Sequence, residues 1–142
     1  MTDDDRHPVI LSTTAPPDPG YVLEVAEAIA EGVRTLNHQT RDHAALEYPA
    51  EGDQLIRELE SAASRLPQLL DQIAGWYERE AAAGRLEVHE GDRAGAPAMA
   101  VVAIRMRADA ARVSAEQLQA DLASLAQVTS TLAAAGEDDT DG

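Results

Sequence analysis

The sequence predicts an all-α protein: a long antiparallel hairpin of helices two and three with helix one packed alongside, in the manner of a coiled-coil-like three-helix bundle. Two apolar rhythms carry the prediction. Between Leu55 and Trp76 the apolar residues fall at 55, 59, 62, 66, 69, 73 and 76, in alternating steps of four and three. The same rhythm returns as Val101, Ile104, Ala108, Ala111, Ala115, Leu118, Leu122, Leu125 and Leu132, with Thr129 in the remaining slot. Steps of three and four keep side chains on one helical face, and their mean is the spacing of a coiled-coil seam. The third observation is compositional. Ala dominates, Phe is absent, and the aromatics are Tyr21, Tyr48, Trp76 and Tyr77. Ala is the best helix former yet buries little surface, which favours long helices over a thick core.

Residues 1–19 hold Pro8, Pro16, Pro17 and Pro19 among acids and Thr, and read as a flexible or extended acidic arm. Its Val9-Ile10-Leu11 patch either docks onto the body or remains a solvated tail. Helix one is expected from about Tyr21 to Leu46, with Val22, Ala26, Ile29, Val33 and Leu36 as its apolar face. Pro49, Ala50, Glu51 and Gly52 mark the break that follows, since proline disfavours helical geometry in the residue before it.

Helix two is expected to start near Asp53 as N-cap and to end at Gly84, which suits a left-handed C-terminal cap. Pro67 removes one backbone hydrogen bond and should cost about 3 kcal/mol or kink the helix. The stripe keeps its phase through Pro67, so a kinked but continuous helix is expected. Residues 85–96 read as a turn or loop, in which Leu86 and Val88 alternate as in a short extended piece. Pro97 suits the first turn of helix three, which should run to Ala135 and stop at Gly136. Ser114 with Gln117 forms an internal capping-box pattern, so a break near Val113 is the alternative. The domain plan is thus an arm over 1–19, a helical domain over 20–135 and an acidic tail over 136–142.

The formal charge is −15, from 26 acidic and 11 basic residues, and every basic residue is Arg. Residues 1–20 contribute −3 and residues 136–142 contribute −4, leaving a body of −8. Such acidity argues against sequence-independent nucleic-acid binding, which depends on cationic contacts to phosphate, and against anionic membranes. It suits solubility or a basic partner. No apolar run approaches the ~20 residues of a membrane span, and the N-terminus carries acids where a signal peptide needs bases. A cytoplasmic protein is expected.

Chemistry-bearing patterns are weak. There is no cysteine. His38 and His43 are five apart, a poor spacing for a shared metal on a helix. His43 and Glu47 share a face without an evident third ligand. Glu24, Glu27 and Glu31, and Asp53, Glu58 and Glu60, fall away from the apolar stripes, as solvated carboxylates do. No phosphate-binding glycine loop or nucleophile elbow is present. No enzyme, cofactor or metal is expected. Arg105, Arg107 and Arg112 form the basic concentration of the chain, and pairing with the acidic helices is expected for them.

Leu66-Pro67-Gln68-Leu69-Leu70-Asp71-Gln72-Ile73-Ala74-Gly75-Trp76, together with the Ala-rich helix three, resembles small acidic Ala/Arg-rich helical proteins of unknown function in Streptomyces-like actinobacteria, of the kind found with plasmid or mobile-element genes. The resemblance covers about half the chain and implies a helical architecture, with no catalytic residue to carry over. It is not the WXG pattern of small secreted helical hairpins, because Trp76 is followed by Tyr77-Glu78 and lies within its helix.

The functional expectation is a non-enzymatic helical interaction protein that self-associates, as a dimer in the simplest case, and serves as an adaptor or accessory subunit. The alternative is an acidic inhibitor or regulator, a DNA mimic or antitoxin-like binder that neutralises a basic protein. Candidate partner or self-association residues are Trp76, Tyr77, Leu118, Leu122, Leu125 and Leu132. Of these, Trp76 is expected to be buried at the hairpin end and Tyr77 to point away from it.

Overall fold

The structure, a computed structural model, describes residues 8–89 and 97–135. The first part of the expected arm, the second half of the loop before Pro97 and the expected acidic tail lie outside them. The described residues are helical, without a strand, in the order α1 (Pro19–Gln39), a 3-10 turn (His43–Ala45), α2 (Pro49–Ala82) and α3 (Pro97–Thr129). The chain divides into two compact units, Met1–Glu47 and Tyr48–Gly142.

In the first unit, Asp18 caps α1 by accepting a hydrogen bond from the Tyr21 N–H at 2.8 Å, and Pro19 occupies the opening turn. The helix therefore begins two residues earlier than expected. It also ends sooner, at Gln39 rather than Leu46. The Thr40 hydroxyl donates to the Leu36 carbonyl at 2.8 Å, and Asp42 draws the Ala44 N–H onto its carboxylate at 2.9 Å. Short polar side chains that bond the local backbone compete with helix continuation, and here they divert the chain into the 3-10 turn. The arm is tied down through Tyr21, whose hydroxyl donates to the Ile10 carbonyl at 2.9 Å and accepts from the Ser12 N–H at 2.8 Å. An open groove of about 680 Å³ follows this junction, lined on the arm side by Pro8, Val9 and Ile10. The expected apolar face of α1 is exposed at Val22, Ile29, Val33 and Leu36, and no residue of α1 is buried.

In the second unit, α2 starts at Pro49, four residues before the expected Asp53. The stretch read as a break is the first turn of the helix. Tyr48 is extended, as a residue before proline must be, and its N–H donates to the Glu51 carboxylate at 3.2 Å. α2 then runs unbroken through Pro67 to Ala82. Gly84 takes the expected left-handed conformation, φ +70°. The Arg85 N–H reaches the Glu80 carbonyl and the Gly84 N–H the Ala81 carbonyl, each at 3.0 Å, which is the paired closure of a Schellman cap. Across α3 no break occurs at Val113. Ser114 donates to the Ala110 carbonyl and Gln117 to the Asp121 carboxylate, so neither forms a cap. The helix ends at Thr129, six residues before the expected Ala135. The run Val128-Thr129-Ser130-Thr131 explains the early stop: these are weak helix formers, and Ser130 and Thr131 donate their hydroxyls back to Gln127 and Val128 carbonyls.

α2 and α3 pack along their length. Arg105 meets Glu78, Gln119 meets Glu60 and Thr129 meets Asp53, so one partner's number falls as the other's rises and the pair is antiparallel. The positions of α2 turned toward α3 are 56, 60, 63, 67, 70, 74, 77 and 81, none of them exposed. Those of α3 are 101, 105, 108, 112, 115, 119, 122, 126 and 129, likewise none exposed. Both sets keep the three-four rhythm. The buried core is Ala63, Ala74, Val101, Ala115 and Ala126, small side chains that let the two backbones approach.

Candidate functional site: an exposed apolar side of the hairpin

The stripe read from the sequence as the α2 seam is not the seam. Leu59, Ala62, Leu66, Leu69, Ile73 and Trp76 are all exposed, and α3 packs on the row one residue further along. At 3.6 residues per turn, that single step rotates the stripe about 100° from α3. On α3, Leu118 and Leu125 lie back by nearly as much from its own contact row. Antiparallel helices turn in opposite senses when viewed from one end, so the two displacements fall on the same long side of the hairpin. That side carries Leu59, Leu66, Leu69, Ile73 and Trp76 from α2, with Leu118 and Leu125 from α3 closing its edge.

The expected site residues divide accordingly. Trp76 is 48 % exposed, which corrects the expectation of burial: it belongs to the open stripe, while Tyr77 belongs to the seam and is half-buried. Their rings meet edge-to-face with centroids 4.9 Å apart. Leu118 and Leu125 are 48 % and 45 % exposed on the same side as Trp76. Leu122 turns into the α2 contact and is half-buried. Leu132 is 59 % exposed but lies beyond the end of α3, so it does not belong to the helical face. The reading by residue missed Leu59, Leu66, Leu69 and Ile73 as surface candidates, because their rhythm matched that of a buried seam. A separate exposed row, Met99, Val102, Met106 and Val113, runs along the outer side of α3 away from α2.

The opposite long side is polar and held by ion pairs. Arg105 holds Glu78 with two bonds of 2.7 and 3.0 Å and Asp71 with a third of 2.8 Å. Arg112 adds Asp109 at 3.3 Å and Asp71 at 3.9 Å. Two of the three clustered arginines are therefore absorbed by carboxylates within the chain. The hydrogen bonds from Arg105 hold the Glu78 carboxyl below its ordinary value of 4.5. At the open end of the hairpin, the Thr129 hydroxyl donates to Asp53 at 2.6 Å and Arg57 adds a second bond. Those two bonds, in that order, lower the Asp53 carboxyl from 3.8. Each of these groups is a structural clasp between or along helices.

Among the described residues no group of three His, Cys, Asp or Glu is placed to hold a metal ion, and no helix is long and apolar enough to cross a membrane. His43 lies 3.6 Å from Asp42 in the 3-10 turn, away from His38 at the end of α1. Comparison with protein-family models, with curated proteins and with solved structures returns no match to this chain.

Proposed function

We propose that this chain is a non-enzymatic helical interaction protein that works by associating with itself and serves as an adaptor or accessory subunit. The observation that carries the reading is the apolar side of the α2–α3 hairpin. Seven large side chains there, each about two-fifths to one-half exposed, leave on the order of 600 Å² of apolar surface open. That is the upper range for a patch on a monomeric protein, and it approaches the ~800 Å² per partner of a standard interface. Polar, ion-paired residues line the opposite side of the hairpin, which is suited to water. Sedimentation velocity and light scattering over a concentration series test the reading. A discrete oligomer is expected. A monomer at the highest attainable concentration refutes it.

A further inference from the structure

We infer that the occupant of the apolar side is a second copy of the chain seated antiparallel, across a two-fold axis that crosses between Leu66 and Leu69 on α2 and at Ser114 on α3. Two hairpins then form a four-helix bundle with their loops at opposite ends. The inference rests on the self-association proposed above and adds its geometry.

Three observations agree on that axis. First, the exposed stripe of α2 is symmetric about the midpoint between Leu66 and Leu69. Reversing it lays Leu59 against Trp76 of the second copy and Ala62 against its Ile73, which places a small residue opposite a large one. A two-fold interface needs such self-complementarity, since the same patch serves both partners. Second, the facing row of α3 is symmetric in charge about Ser114. Arg107 and Asp121 stand seven residues on either side, two helical turns away, and the reversal sets each against the other across the interface. Among the described residues Arg107 makes no ion pair or hydrogen bond within its own chain, and Asp121 only accepts from Gln117. Third, the two centres are level. The hairpin register runs from Glu60–Gln119 to Glu78–Arg105, and it brings the Leu66–Leu69 midpoint beside Val113 and Ser114. One axis therefore serves both helices.

Charge also permits the contact. The chain carries −15, yet the rim of this side holds Glu58 and Asp121 against Arg65 and Arg107. Two copies meet there without the repulsion that the rest of the surface would impose.

The chain has no cysteine, so single introduced cysteines report distances directly. Ser114→Cys places two thiols on the axis, within the short Cα separation that a disulfide requires, and mild oxidation is expected to yield a covalent dimer. Val128→Cys lies about 40 Å from its mate in this arrangement and stays unlinked. Alongside, Asp121→Arg should raise the dimer Kd about tenfold by opposing two arginines twice, and adding Arg107→Asp should restore it. A chain that stays monomeric removes self-association altogether. A dimer that does not link through position 114, or that links as readily through 128, keeps self-association and overturns this axis.

Discussion

Leu69→Ala is the substitution that measures what the apolar side contributes. Leu69 is 45 % exposed on the open stripe of α2. Truncation to Ala removes three carbons, each contributing about 0.8 kcal/mol when fully buried. Roughly half of that burial already exists within a single chain, so association loses about 1 kcal/mol per copy and about 2 kcal/mol per dimer. The dimer Kd should then rise about thirtyfold. Sedimentation equilibrium over a wide concentration range reads the constant, and a circular dichroism melt confirms that the variant keeps its helices. Val113→Ala is the control, because Val113 is equally apolar and more exposed but faces away along α3. An unchanged Kd for Leu69→Ala, or an equal rise for Val113→Ala, refutes the assignment of the face.

Other expectations concern the hairpin itself. Asp53, Glu78 and Glu80 all have carboxyls held below their ordinary values, chiefly by hydrogen bonds from Thr129, Arg105 and Arg85. Their stabilisation is complete above the ordinary values of 3.8 and 4.5 and is lost as pH falls through the lowered ones, so thermal midpoints should drop with acidification below about 4.5 and stay level above it. A midpoint that stays flat down to strong acid would contradict the clasp at Arg105. Pro67→Ala restores an interior backbone hydrogen bond and should stabilise α2 by about 2 kcal/mol, read as a higher urea midpoint. Gly84→Ala should cost about 1 kcal/mol, because the left-handed φ of +70° strains any Cβ even though nothing crowds it. An Ala variant as stable as the parent would mean that the Schellman turn is not maintained in solution.

The hairpin was legible in the sequence because Gly84 and Pro97 punctuate two long periodic segments, and because the phase on either side of Pro67 is unbroken. Which side of α2 meets α3 was not legible. Two rows one residue apart share the same three-four spacing, and the more apolar of them is the one left open. The true seam is disguised by its composition: Glu60 on α2 and Arg105, Arg112 and Gln119 on α3 interleave with Ala, and cross-helix bonds compensate for their polarity. Hydrophobic patterning cannot weigh such bonds, since it sees only single residues. Helix ends went astray where a local side chain captured the backbone, at Asp18, Asp42 and Thr131. For the candidate site, Trp76, Leu118 and Leu125 were singled out from their spacing, Trp76 with an expectation of burial that its exposure corrects. Their four companions on α2 were hidden by the same spacing, which reads equally as core.

The small buried residues of the hairpin bear on how the protein unfolds. With Ala63, Ala74, Val101, Ala115 and Ala126 as its core, a lone hairpin gains little from each side chain it shelters. Nearly half of the surface of the large aliphatic groups on the open side is still in water when the two helices have come together. In the proposed dimer a second layer would bury much of what remains, and folding and assembly would become one equilibrium. Melting temperature would then be set partly by protein concentration, and dilution alone would act as a denaturant.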